Sequence, residues 1–335
     1  MNILEQNRIK TDNNYDDTNF IEIIKKNIQS LSEPLIVSLS GGVDSMVILY
    51  IIKKILNKKI ISIHINYNNR KESIDEENYL LDYCKELDIV FECINLDVKR
   101  RDISRSSYEK YATNIRYSFY KEMIEKYSSN SNSNSILLGH HKDDQIENIF
   151  HNFMKNKNLF NLKVIDLFGI RKEVNICRPL IDFYKIEIYS FANKWNIPYF
   201  NDTTPNWSAR GIFRKIIQPA LEQSYYNPKQ NILNVNNQLN DWSDIIDNFI
   251  INPIMNDIKW NEKSVELCFE KLIGQKQILW MEIIKKIYHK YSINCPSNKS
   301  IYNLINNLNE STTIRLTKNS TSIIYKNNNI IIYFN

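Results

Sequence analysis

The chain has 335 residues, 43% of them hydrophobic with 20 Tyr and 14 Phe, which suits two or three globular domains. A net charge of +5 permits nucleic-acid binding without demonstrating it. The five cysteines (84, 93, 177, 268 and 295) include no C-x-x-C, which argues against a zinc ribbon, a disulfide framework or an iron–sulfur cluster and points to a reducing, cytosol-like compartment.

No run of 18 apolar residues occurs, so no transmembrane helix is expected. Residues 1–18 are polar, lack the apolar centre of a secretory signal and read as a flexible tail. A first helix is predicted over 19–32 and a buried strand over 34–39. The glycine turn at 40–45 follows, then a buried helix over 46–57 and a second strand over 59–65. A helix over 74–88, a strand over 90–96 and a long helix over 106–127 continue the alternation. Residues 128–135 form an Ser/Asn spacer that reads as flexible and exposed. A fourth strand (136–139), a helix (144–154) and a helix near 183–195 complete this region. Helices over 272–291 and 299–308, strands over 312–316, 322–325 and 330–333, and a hairpin turn at 327–329 predict a smaller C-terminal α+β domain.

The βα alternation predicts an α/β fold with a doubly wound, mostly parallel sheet. Such sheets bind ligands at the carboxyl ends of their strands. The candidate residues fall there: Ser40-Gly41-Gly42-Val43-Asp44-Ser45 after the first strand, His64 at the end of the second, and His140-His141 after the fourth. The chain has only six glycines, so two placed side by side at 41–42 indicate a backbone requirement. A strand, a glycine turn and a helix N-terminus converge N–H groups on an anion. No Gly-Lys-Ser/Thr follows, so this is not a Walker A loop. In the second motif, His140-His141-Lys142-Asp143-Asp144-Gln145-Ile146-Glu147-Asn148, one Asp is explained as a helix cap. The remaining carboxylates suit Mg²⁺ beside a triphosphate, with Asp144 and Glu147 as ligands, or proton transfer from an amine. Zinc is disfavoured because no Cys or further His lies close by.

The loop Ser40–Ser45 resembles the pyrophosphate loop of the ATP pyrophosphatase superfamily. Joined to His140–Asn148, it resembles the tRNA(Ile)-lysidine synthetase family. Asn114-Ile115-Arg116-Tyr117, Cys177-Arg178-Pro179-Leu180-Ile181, Asn201-Asp202-Thr203-Thr204 and Ala209-Arg210-Gly211-Ile212-Phe213-Arg214 extend the match over about 33–221. The chain departs from the family pattern at Gly211, where Asn is usual, at Asn148, where Thr is usual, and in a loose version of the segment 64–70.

The resemblance implies an adenine nucleotide alpha hydrolase-like catalytic domain over 19–221, a helical connector over 222–248 and a tRNA-binding domain over 249–335. It also implies ATP and Mg²⁺ as cofactors, tRNA and free L-lysine as partners, no membrane, and a cytoplasmic setting; a homodimer stays open. ATP would lie on Ser40–Ser45 with His64 and His140. Asp44, Asp143, Asp144 and His141 would be catalytic, the division of roles among the three aspartates being open. A cytidine oxygen would attack the α-phosphate, and the amine of lysine would then displace AMP from C2. Arg116, Arg210 and Arg214 suit phosphates of RNA or ATP, or equally structural salt bridges. Lys99-Arg100-Arg101 with Arg105 is either an RNA-backbone contact or a solvated charge run, and Trp207 either stacks on a base or packs. Alternatives are a tRNA thiolase, which usually carries cysteines this chain lacks, a small-molecule amide synthetase, and a binder without catalysis.

Overall fold

The computed structural model describes residues 17–69, 71–98, 104–128, 134–159, 162, 165–202, 204–307, 313–324 and 329–334. These fall into two compact units that divide between Asn236 and Asn237. Among the described residues no helix is long and apolar enough to cross a membrane.

The first unit begins with α1 (Asp17–Ile28), β1 (Leu35–Ser38), α2 (Val43–Tyr50), β2 (Ile60–Asn66), α3 (Ser73–Glu86) and β3 (Val90–Asn95). It continues with α4 (Arg105–Tyr127), β4 (Ile136–Leu137), α5 (Lys142–Met154), β5 (Phe168–Arg171), β6 (Val174–Cys177) and α6 (Lys185–Lys194). After these come α7 (Ala209–Ile212), α8 (Gln218–Ser224) and the start of α9 (Pro228–Ile246). The six strands stand in the order β3-β2-β1-β4-β6-β5, parallel except for the β5–β6 pair.

Alternation along the strands divides the core between the two faces of the sheet. Leu35 and Val37 pack with Phe20 and Ile24 of α1, Met46 and Leu49 of α2, Leu80 of α3 and Phe191 of α6. Ile36, one residue out of phase, faces the other way with Ile61, Ile63 and Ile136, against Tyr108, Tyr120 and Met123 of α4. Helix α2 is buried nearly all round, as its run Met46-Val47-Ile48-Leu49 requires. Ile36 pairs with Ile61 of β2 on one side and Ile136 of β4 on the other. The chain therefore leaves β1 for one neighbour and returns beside it from the opposite direction. That is a topological switch point, and the crevice beyond it opens at the carboxyl ends of β1 and β4.

The β5–β6 hairpin escaped the sequence reading. Its turn residues, Lys172 and Glu173, both take positive φ (50° and 63°), which normally calls for Asn or Gly. Nothing in the local sequence therefore marks the turn. The spacer at 128–135 is also corrected in part. Asn134 and Ser135 are buried as the chain enters β4, and Asn134 Nδ2 donates to Ser128 Oγ at 2.6 Å. The residues between Ser128 and Asn134 lie outside the described set, as do the predicted N-terminal tail up to residue 16 and most of the 327–329 turn.

The second unit holds the end of α9, α10 (Asn252–Asn256), β7 (Lys259–Trp260), β8 (Ser264–Cys268), α11 (Gln277–Lys290), α12 (Asn298–Asn306), β9 (Thr313–Thr317), β10 (Ser320–Ile324) and β11 (Asn329–Phe334). Its sheet is antiparallel in the order β7-β8-β11-β10-β9. Trp280, Ile283 and Ile287 of α11 and Ile301 and Leu304 of α12 cover the inward side chains Val265, Leu267, Ile330 and Ile332. Strands β7 and β8 were not anticipated; β8 shows its period of two in only two buried positions, Val265 and Leu267.

Gly139 follows β4, and a Cβ there would lie 2.6 Å from Asp44 Cβ. Replacing it with Ala forces the end of β4 away from the N-terminus of α2. A Gly139→Ala variant should lose about 1–3 kcal/mol of unfolding free energy in urea. Gly42→Ala, where the nearest atom to a new Cβ is Ser40 Oγ at 3.4 Å, should lose less.

Candidate active site

The turn after β1 is shaped by its own hydroxyls. Ser45 Oγ donates to Gly42 O at 3.0 Å and accepts from Ser40 N at 3.1 Å, while Gly42 N donates to Ser40 Oγ at 3.3 Å. Gly41 holds φ +78°, and a side chain there would run into the Phe200 ring at 2.3 Å. Phe200 N donates to Gly41 O at 2.8 Å, which fixes the turn from outside. Gly42 caps α2 with no side-chain acceptor, so the N–H groups of the first turn face the crevice. Together they form an anion cradle at the positive end of a helix.

Helix α5 brings the second motif to the same place. His141 caps it, and its N–H donates to Asp144 Oδ2 at 3.1 Å. The buried His141 ring stands among three carboxylates. Nε2 is 3.3 Å from Asp144 Oδ2 and 3.9 Å from Asp44 Oδ1, and Nδ1 is 3.7 Å from Asp143 Oδ2. The loop of the first crossover and the acids of the fourth strand's crossover therefore meet in one site around an imidazole, Asp44 and Asp144 at Nε2 and Asp143 on the Nδ1 side.

The cations that answer these acids come from later in the chain. Lys185, the first residue of α6, places Nζ 2.7 and 2.6 Å from the two oxygens of Asp44, and its backbone N–H donates to Asp143 Oδ2 at 2.7 Å. Lys229 Nζ lies 2.9 Å from Asp143 Oδ1. Arg214 donates to Glu147 Oε2 at 2.9 Å and to Asp144 Oδ1 at 2.8 Å, and Arg210 pairs with Glu147. Burial pushes the Asp144 carboxyl up, but His141, His140, Arg210 and Arg214 outweigh it and hold the group below its usual range. Burial likewise pulls Lys229 and Arg214 down. Their carboxylate partners outweigh it and hold both above their ordinary values.

Sequence patterns missed Lys185 and Lys229. One signal was available for Lys185: a lysine at the first position of a helix opposes the helix dipole, so it invites a search for a carboxylate partner. Lys229 carries no local signal.

Other expected residues have different company. His64 is buried, and its Nδ1 is 2.8 Å from Leu39 O, tying the ends of β1 and β2. Arg116 gives its guanidinium to the Tyr67 hydroxyl and stacks over that ring at 5.5 Å. Arg210 and Arg214 are engaged by acids, which is the salt-bridge alternative of the sequence reading. Asp144 and Glu147 are correspondingly neutralised by guanidinium, and no group of three or more His, Cys, Asp or Glu among the described residues is set to hold a metal. The pair does not fit Mg²⁺ in this arrangement. Arg105 pairs with Glu109 and lies 5.7 Å over the exposed Trp207 ring, while residues 99–101 lie outside the described set.

Two of the three departures from the family pattern, Gly211 and Asn148, have local explanations. Gly211 N–H donates to Ser208 Oγ at 2.9 Å, and a Cβ at this position would lie 2.2 Å from Pro205 O. Asn148 Nδ2 donates back to Asp144 O at 2.8 Å.

A doubly wound sheet with a glycine-turn anion cradle at its switch point, faced by acids from the neighbouring crossover, defines a nucleotide-binding α/β protein. A family model described as the PP-loop domain matches residues 14–221. The tRNA(Ile)-lysidine synthase of Staphylococcus aureus strain COL is 26% identical over 306 residues, covering 86% of this chain and 68% of that protein. The namesake from Mycoplasma mycoides subsp. mycoides SC is 26% identical over 283 residues, covering 83% of this chain and 67% of its own. That of Francisella tularensis is 31% identical over 200 residues, covering 59% and 48%. Among solved structures, the U34-tRNA thiolase NcsA from Methanococcus maripaludis superposes with a TM-score of 0.52 at 17% identity, over 67% of this chain and 78% of that one, a likeness of fold. The chain belongs to the PP-loop family, in its tRNA(Ile)-lysidine synthetase branch.

His140 carries a pH consequence. Burial holds its imidazole at about 4, against an ordinary 6.5, and its buried Nδ1 has no hydrogen-bond partner among the described residues. Between these values the unfolded chain binds a proton that the folded chain refuses, so stability falls as pH drops from 6.5 to about 4. The loss attributable to this group is roughly 3 kcal/mol. A His140→Gln variant should show a shallower decline over that window in urea titrations at successive pH values.

Proposed function

We propose that this chain uses ATP to join free L-lysine to C2 of the wobble cytidine of a tRNA(Ile) with a CAU anticodon, through an adenylated cytidine, giving lysidine. The relatives named above support the reaction class. The observation that carries the reading is the meeting of Asp44, His141, Asp143 and Asp144 at the anion cradle.

In the first step the cytidine O2 bonds to the α-phosphorus as the bridge to the β-phosphate breaks, and the electron pair leaves with pyrophosphate. Turn N–H groups from Val43 to Ser45 bind the phosphoryl oxygens without reorganising. The target base has to leave its stack to reach them. In the second step the ε-amine attacks C2 and expels AMP. An unperturbed amine of this kind has a pKa of about 10.4, so it must give up a proton. Asp144, held low by its cations, is a poor acceptor. The proton is assigned instead to the His141 ring, whose Nε2 lies 3.3 Å from Asp144 Oδ2 and 3.9 Å from Asp44 Oδ1 at the cradle. No step is assigned to Mg²⁺, because the acids named for it are already paired with arginine.

The five cysteines are free: Cys84 and Cys177 are buried in the first unit, Cys93 is half-buried, and Cys268 and Cys295 lie exposed in the second. Nothing among the described residues gathers them, so the thiolase alternative gains no support, and free thiols accord with a reducing cytoplasmic setting. The second unit, with the chain from 249 onward, is the part assigned to tRNA contact.

The decisive measurement is mass spectrometry of nucleosides after incubation with ATP, lysine and a CAU-anticodon tRNA(Ile). Lysidine should appear and should vanish when lysine is omitted; a thiolated base, or unmodified cytidine, would refute the reading. Asp44→Ala should lower the rate by about 10²-fold or more while circular dichroism stays native. Normal turnover in that variant would remove the loop acid from the mechanism.

A further inference from the structure

Each acid at the crevice is already matched by a cation of the chain: Asp44 by Lys185, Asp143 by Lys229, Asp144 by Arg214 and Glu147 by Arg210. A nucleotide's phosphoryl tail adds several negative charges to a site that is balanced without it. Something positive must come free to meet them.

The four cations differ in how readily they can move. Arg214 spans Glu147 and Asp144 with a further contact to Asp202 at 3.4 Å, and Arg210 lies across the same two acids. A planar fork held on two carboxylates is a fixed part. Lys229 is anchored between Asp143 and Glu222. Lys185 holds a single carboxylate, that of Asp44, which belongs to the first turn of α2 and so lies on the cradle itself. Its side chain is 26% exposed and that of Asp44 22%, so an incoming ligand can reach both. A lysine is a compact point charge on a flexible stem and changes partner by rotating that stem. Its backbone stays anchored, because the Lys185 N–H donates to Asp143 Oδ2 at 2.7 Å. The ammonium also stands against the dipole of α6, so helix energetics do not account for its position.

Resting on the ATP reading above, we propose that Lys185 is a phosphate-binding residue of this site. Its ammonium leaves Asp44 for the pyrophosphoryl oxygens of ATP and stays with the pyrophosphate as it departs. As the α-phosphorus gains its bond to the cytidine oxygen and loses the bridging one, the electron pair of the broken bond passes to the pyrophosphate. The Lys185 ammonium, carried over to the departing group, offsets that charge. The same movement uncovers the Asp44 carboxylate beside His141, so nucleotide binding and exposure of the loop acid become one event. The chain thereby supplies from α6 the positive charge that its acidic pair is not arranged to recruit as a metal.

The test compares ATP with AMP binding by calorimetry in the full-length wild type, Lys185→Met and Lys185→Arg, with circular dichroism as the check on folding. Lys185→Met should weaken ATP binding about tenfold or more, since a charge-assisted phosphate contact is lost, and change AMP binding by less than about twofold. Lys185→Arg should recover most of the ATP preference. In tRNA-dependent ATP–pyrophosphate exchange, Lys185→Met should lower kcat by about 10²-fold beyond its effect on KM for ATP. An unchanged ratio of ATP to AMP affinity in a folded Lys185→Met chain overturns the proposal. If that chain does not fold, Asp44→Asn serves instead: it unties the ammonium, so ATP affinity should be kept or increased, and a loss equal to that for AMP overturns the proposal. Failure of the wild type to bind ATP would instead strike the nucleotide reading, and ATP binding without lysidine formation would strike only the choice of substrate.

Discussion

The contact on which this site depends is the approach of the end of β4 to the first turn of α2. Gly139 stands where any Cβ would meet Asp44, and it lets two crossovers that are nearly a hundred residues apart in the chain share one crevice. Parallel pairing of β1 with β4 at Ile36–Ile136 and Val37–Leu137 sets the height at which the two strands end. From there the cradle and the His141 cluster face each other with no further device. Sheet register, rather than any single side chain, does the assembling.

Electrostatics then decides what the assembled groups can do. Three acids around a buried imidazole, with Glu147 one turn further along α5, would repel one another and any phosphate. The chain answers with cations from α6, α7, the helical turn Phe213–Ile217 that continues it, and α9. Because those elements follow the sheet in the sequence, the site is complete only when the last part of the first unit has docked. The pairing also makes the acids unequal. Asp144 is held low by its arginine and histidine neighbours, whereas Asp44 is answered by one movable ammonium. Groups of one chemical type thus acquire separate tasks from their surroundings.

The departures at Gly211 and Asn148 follow the same logic of local space. At 211 a side chain would meet the Pro205 carbonyl, so the tight turn that Ser208 caps takes glycine, and Arg210 and Arg214 on either side still reach their acids. At 148 the amide of Asn returns to the Asp144 carbonyl within the helix, leaving the acidic face of α5 undisturbed. A motif can therefore loosen at positions whose job is backbone geometry while the charged positions keep their partners.

The sequence by itself determined the elements and the poles of the site. Alternation in Leu35-Ile36-Val37, the apolar run after Ser45 and the two glycines at 41–42 specify strand, buried helix and anion turn through local backbone and burial preferences. Patterns of that kind are written in neighbouring residues. The β5–β6 hairpin was hidden because Lys172 and Glu173 occupy a turn that usually announces itself with Asn or Gly. Only the tertiary structure decided the charge pairing. It gave Arg210 and Arg214 to carboxylates, tied His64 to a backbone carbonyl, and set Lys185 on Asp44 across 141 positions of chain. Which charges meet depends on where separate elements dock. Coulomb attraction acts through space and leaves no period in the sequence to read.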